Sequence, residues 1–291
     1  MEEESTKKRA SIVSVIIIFL ILILISIFAI KKINADSVTT DELSLLNPDS
    51  PEYIASKKVE INSYVSSIND LYGIEVFYGD DTANYASKVN ASTISDLNII
   101  NNNIKMIYHT LEKYPKTMYE PFKNKEYNFD IILLDKFNNN NIALASKNNL
   151  KQIKLYVSNA ENFERAVHHE IFHIFEYYMS DRNKDIFKEW DELNPKGFKY
   201  ESNVANLNNK YVYLAQEPTY SNIDDSYFVT KYSKASEKED RAEVFAEMMM
   251  LTSIPDYLKE DTNIRKKADN IVDKLTLYFN IKDLYCTKFL K

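Results

Sequence analysis

Glycine is nearly missing from this chain of 291 residues: Gly73, Gly79 and Gly197 are the only three. At these spacings they cannot form a GxGxxG or GxxxxGKS/T phosphate loop, which excludes the common nucleotide-cradling motifs. Cysteine is represented by Cys286 alone. An intrachain disulfide and a cysteine-based zinc site are therefore excluded, and redox compartment cannot be read from bridges. Basic side chains are outnumbered, 36 against 43 acidic ones, for a net charge of −7. Nucleic acid is not an expected partner, because its phosphates need a basic stripe. Histidine is scarce as well, with four residues. Apolar residues are not scarce: 45% hydrophobic and 13% aromatic content is enough to fill a core and argues against disorder. A globular protein of one or two domains remains.

One stretch is not globular. Residues 12–30 read IVSVIIIFLILILISIFAI, with Ser14 and Ser26 as the only polar side chains. About 20 such residues in a helix match the roughly 30 Å hydrocarbon thickness of a bilayer. The run has no polar face, and cations flank it: Lys7, Lys8 and Arg9 before, Lys31 and Lys32 after. It reads as a transmembrane helix over residues 11–32, preceded by a short N-terminal stub, 1–10. Its length exceeds the apolar core of a cleaved signal peptide, so an uncleaved signal anchor is expected. Ile33-Asn34-Ala35 offers a cleavage site, and cutting after Ala35 would give a secreted form. Three cations before the span against two after it bias the stub to the cytoplasm. The expectation is a single-pass protein of the cell membrane with the remainder on the extracytoplasmic side.

Beyond the span, residues 33–50 are polar, lack helical periodicity and read as a linker. The folded domain is expected over 51–291. Helices are predicted at Pro51–Leu71, Ser95–Tyr114, Glu161–Met179, about 236–252 and about 262–279 from apolar residues at steps of three and four. Strands are predicted at Ile74–Tyr78, Phe129–Leu134, Ile142–Ala145 and Ile153–Val157, separated by turn-forming asparagines. Residues 180–230 read as tyrosine-rich loops with short helices.

Three of the four histidines fall within AVHHEIFHIF. His169-Glu170-Ile171-Phe172-His173 is an HExxH sequence on a predicted helix. Residues i and i+4 project from one side of a helix, so His169 and His173 can converge on one ion. Glu170 beside them can take a proton from metal-bound water. The apolar residues Phe163, Val167, Ile171, Ile174 and Tyr178 form a separate stripe for burial. His168 points about 100° away from His169 and reads as surface or supporting packing.

Zinc in a catalytic site takes three protein ligands and leaves a fourth position for water. His109 sits on a helix that looks structural, so the third ligand is sought among downstream acids. The string SEKEDRAEVFAEMM places Glu239, Glu243 and Glu247 on one face of its predicted helix. Apolar neighbours there imply burial, which makes carboxylates without partners costly. Either Glu239 or Glu243 can serve as the ligand at this point.

HHEIFH followed by YSKASEKEDRAEVFAE resembles the gluzincin metallopeptidases, with HExxH, then a tyrosine, then an ExxAE helix. The pattern is similar to that of the anthrax lethal factor catalytic domain, the secreted Pro-Pro endopeptidases and many bacterial zinc-binding metallopeptidases. The resemblance covers roughly residues 125–252. It implies an α+β, zincin-like fold with a small mixed sheet and active-site helices. It also implies a Zn2+ cofactor held by His169, His173 and Glu239, with Glu170 as general base. Tyr232 falls on the oxyanion-steadying tyrosine, with Tyr227 and Tyr220 as neighbours that could replace it. Glu243 falls on the glutamate that hydrogen-bonds a zinc-binding histidine. The strand Ile153–Val157 would be the edge that pairs with a peptide or protein substrate. Two departures stand out. The interval from His173 to Glu239 is long enough for an inserted lid or loop, and Phe172 replaces a frequent glycine. Proline preference does not carry over. A non-catalytic, membrane-tethered, zinc-stabilised binding module is the alternative function, and Glu170 is the residue that argues against it.

Overall fold

A computed structural model describes residues 47, 50–138, 141–201 and 227–290. The expected span at 11–32 and Tyr220 lie outside the described residues. Among the described residues no helix is long and apolar enough to cross a membrane. The chain divides into two compact units, Met1–Val59 and Glu60–Lys291, and the site lies within the second.

The elements follow in the order α1 (Pro51–Tyr72), β1 (Ile74–Phe77), α2 (Ala83–Lys88), α3 (Leu97–Glu112), α4 (Glu120–Lys123), β2 (Asn128–Leu134), β3 (Ala143–Lys147), β4 (Gln152–Ser158), α5 (Phe163–Arg182), α6 (Glu237–Met250) and α7 (Asn263–Thr276). Every helix and strand expected from periodicity has its counterpart, displaced by a few residues at most. The short helices α2 and α4 are additions, too brief to leave a periodic signal.

The four strands form one mixed sheet in the order β1-β2-β4-β3. β1, β2 and β4 run parallel, and β3 returns antiparallel to β4. β2 and β4 are buried on both faces, as a near-continuous run of apolar residues requires. Phe129, Ile131 and Leu133 of β2, with Ile153, Leu155 and Val157 of β4, face the main core shared with the helices. Ile132, Leu134 and Tyr156 alternate to the opposite face, where Ala86 of α2 covers them.

This order corrects one expectation. Ile153–Val157 is not an edge, because β4 is paired on both sides. The edge next to it is β3, where the burial pattern weakens and Leu144 is exposed. The short turn from Lys147 to Gln152 folds β3 back onto the outside of β4.

At Gly73 the turn from α1 into β1 has φ +70°, and an added Cβ would lie 2.5 Å from the Lys123 backbone. Only glycine fits both the dihedral and the space. α5 lies against β3, β4 and α6. It is buried nearly all round, not along one stripe: Phe172 is fully buried and its ring meets Phe245 at 5.0 Å and Phe187 at 6.2 Å. At this position phenylalanine fills the α5–α6 seam where a glycine would leave a void.

Candidate metal centre

α5 brings His169 and His173 to the same side, with ring centroids 4.9 Å apart. α6 faces them with its first turn. Ser236 caps that helix, its hydroxyl accepting the Glu239 N–H at 3.2 Å, which sets Glu239 in the turn nearest the histidines. Glu239 Oε2 lies 2.9 Å from His169 Nε2 and 3.5 Å from His173 Nε2. The two Nε2 atoms are 3.2 Å apart.

These separations test whether a metal fits. Ligands about 2.05 Å from a tetrahedral ion lie about 3.3 Å from one another. The three donor atoms already stand at that spacing, and their two-nitrogen, one-oxygen set is one that zinc accepts in catalytic sites. Among the described residues, His169, His173 and Glu239 are the group able to hold an ion.

Glu243, one turn along α6, occupies the other side of His169. Its Oε1 lies 2.8 Å from His169 Nδ1, so it bears on the ring and not on the ligand cluster. Its carboxylate is clamped by Arg165, through Nη1 at 3.1 Å and Nη2 at 2.8 Å, and accepts from the Thr230 hydroxyl at 2.7 Å. Glu247, the third acid of that face, points elsewhere and accepts from the Tyr257 hydroxyl.

Thr230 also links the centre to Tyr232. It opens the turn Lys231–Lys234, where its side chain and that of Ser233 cap each other's backbone. Tyr232 then stacks on His169, centroids 5.9 Å apart and planes 28° from parallel, and lines the same cleft as the histidines. Tyr227 does not line that cleft; its backbone carbonyl accepts from Lys267 at 2.8 Å.

Glu170 spans the gap between α5 and the sheet. Its Oε2 accepts the Ala145 N–H at 2.6 Å, and the Tyr177 hydroxyl lies 3.5 Å from the Ala145 carbonyl. Both outward-facing backbone groups of Ala145 on the β3 edge therefore meet side chains of the histidine helix. The resulting cleft of about 200 Å³ runs between β3 and α5, closed by Tyr232 and Glu239.

Charge follows the same plan. Burial alone would lower both histidines. Hydrogen bonds that its ring donates to Glu239 and Glu243 instead raise His169 to about 9, and contacts with Glu176 and Glu239 raise His173 to about 10. Burial opposes ionisation of Glu239, but the two histidines hold it well below the usual carboxylate range. Arg165 and His169 do the same for Glu243. The carboxylates that favour protons on these nitrogens would favour a dication in the same place, which would have to displace those protons. His168 stands apart and is fully buried, with Nδ1 2.6 Å from the Tyr114 hydroxyl. Burial pushes it down to about 4, so its ring is neutral and belongs to the core.

Sequence reasoning missed Arg165, Glu176, Thr230 and Arg241. The only trace of the first two is spacing: Arg165 is one turn before His169, and Glu176 is three residues after His173.

No protein-family description matches the chain, and no curated protein matches it. A solved structure does. The chain is similar to a crystal structure described as a "putative zinc-binding metallo-peptidase" from Bacteroides caccae, with a TM-score of 0.52 and 17% sequence identity. The match covers 80% of this chain and 90% of that one. At that identity the likeness is one of fold: the chain has a metallopeptidase-like fold, with a His169–His173–Glu239 cluster set in it.

Proposed function

We propose that the protein is a zinc-dependent endopeptidase, tethered to the cell membrane through residues 11–32 with its site on the extracytoplasmic side. The observation that carries this reading is the set of three donor atoms 2.9–3.5 Å apart, with Glu170 and Tyr232 lining the same cleft. When held by His169, His173 and Glu239, zinc supplies a Lewis acid that acidifies a water and polarises the scissile carbonyl.

The chain's own groups do the rest. An extended peptide lies along the outward edge of β3 beside Ala143, where pairing can begin without displacing the Glu170 and Tyr177 contacts at Ala145. Glu170, poised between that edge and the histidines, takes the proton of the attacking water and passes it to the leaving amine. The Tyr232 hydroxyl donates to the oxyanion that develops on the carbonyl, a contact made mainly in the transition state. Glu243 holds His169 through Nδ1, which keeps Nε2 facing Glu239 and His173, where an ion would be held. A peptide or protein is the substrate class.

The test uses full-length protein, wild type and Glu170→Gln, assayed for zinc content and for digestion of a peptide library. Both are expected to hold equimolar zinc, and only the wild type to cleave. Cleavage by Glu170→Gln at the wild-type rate removes the general-base role. A wild type that binds zinc and cleaves nothing marks a non-catalytic, zinc-stabilised binding module instead.

A further inference from the structure

His173 has a brace of its own, distinct from the Glu243–Arg165 pair behind His169. Glu176 sits on α5 three residues beyond His173 and is buried. Its Oε2 lies 3.7 Å from His173 Nδ1, an ion-pair contact on the side of the ring away from Glu239. Its Oε1 accepts from Arg241 Nε at 3.0 Å and Nη2 at 2.5 Å. Arg241 comes from α6 and is itself held, with its guanidinium over the Phe187 ring at 4.5 Å and the Trp190 ring at 5.5 Å.

Stability alone is a poor account of this pair. Two charges taken from water into a core gain little over apolar residues of the same volume, and often lose. Direction is a better account. A metal-binding imidazole whose second nitrogen faces a fixed carboxylate is locked in ring angle and tautomer, and its basicity rises. The arrangement resembles the one at His169, where Glu243 stands closer, within hydrogen-bond distance of Nδ1 at 2.8 Å, and Arg165 holds Glu243. The helices exchange parts in doing so: α6 supplies a carboxylate to an α5 arginine, and α5 supplies a carboxylate to an α6 arginine. Each imidazole thus has a carboxylate behind it and each carboxylate an arginine, so the net charge added around the ion is small.

We propose that Glu176, fixed by Arg241, is a positioning residue for the metal, directing His173 Nε2 into the ligand cluster. The inference rests on the reading of the centre as a zinc site.

The experiment measures zinc affinity of the full-length protein by competition with a chromogenic chelator, together with the unfolding midpoint of the metal-free form. Glu176→Gln is expected to weaken zinc about 10–100-fold. Glu176→Asp, which keeps the charge on a shorter arm, is expected to recover part of the loss. A merely structural role predicts a lower midpoint in both variants and unchanged zinc affinity, and that result overturns the inference. Should Glu176→Gln not fold, Arg241→Lys keeps the cation but loses the two-pronged hold on Oε1. It too is expected to bind zinc more weakly, and unchanged affinity there overturns the inference. A wild type that binds no zinc removes the underlying site reading, which is a different failure.

Discussion

Replacing Lys267 by methionine tests how the first turn of α6 is held in place. Lys267 and Asp240 are an ion pair with no exposed side-chain surface on either partner, 2.7 Å apart. Asp240 follows Glu239 directly, so whatever fixes one fixes the other. Its Oδ2 also accepts from Trp190 Nε1 at 3.0 Å and from the Tyr200 hydroxyl at 2.9 Å. Removing Lys267 takes away the counter-charge and leaves those two neutral donors. Breaking a buried pair from one side costs about 3–5 kcal/mol, because the remaining charge stays buried. In a unit of this size that corresponds to a fall of roughly 6–20 °C in unfolding midpoint. Burial already raises Asp240 above the usual carboxylate value with Lys267 present. Losing the cation raises it further, so the variant's deficit should shrink as pH falls towards the unfolded-state value, where the carboxyl is protonated in both states. Trp190 is the protein's single tryptophan and touches Asp240, so urea unfolding followed by its fluorescence reports on this site. The companion variant, Lys267→Met with Asp240→Leu, removes both charges and should recover most of the loss. A loss below about 1 kcal/mol for the single variant, or a double variant no better than the single, refutes the reasoning.

Three further outcomes follow from the centre itself. His169 and His173 are raised to about 9 and about 10 by their carboxylate neighbours, so in the metal-free protein they retain protons that metal must displace. Their contribution to metal-free stability is complete below the unfolded value near 6.5 and is lost as pH rises through 9–10. Zinc affinity should run the opposite way, gaining about tenfold per pH unit for each proton released between pH 6.5 and 9. Chelator competition across that range checks it, and a flat profile counts against it. Tyr232→Phe should lower kcat by about 10²–10³ with KM little changed, since its hydroxyl acts in the transition state. An equal loss spread into KM would instead place Tyr232 in ground-state binding.

How much of this was legible in the sequence depends on the range of the interaction involved. The HExxH geometry is local, because a four-residue step on any helix brings His169 and His173 together. The strands β2 and β4 were equally plain from their apolar runs. Strand order was not, since the placement of β3 outside β4 is decided by which backbones pair. The same holds for α6. Glu239, Glu243 and Glu247 are equivalent by helical spacing, and only the seating of α6 on α5 assigns one to the ligand cluster, one to His169 Nδ1 and one to Tyr257. The buried arginines were invisible for a related reason. A charged residue in a sequence reads as solvated until a partner is known, and Arg165 and Arg241 find theirs 78 and 65 residues away.

On the zinc-peptidase reading, His169, His173 and Glu239 bind one zinc ion and leave it open to substrate. Anomalous diffraction at the zinc edge, from crystals of the zinc-loaded protein, tests it most directly. A single peak is expected in the α5–α6 cleft, about 2.0–2.2 Å from His169 Nε2, His173 Nε2 and a Glu239 oxygen, with no fourth protein ligand. A peak ligated by Glu243 in place of Glu239, a fourth side chain closing the sphere, or no peak at these residues would contradict it.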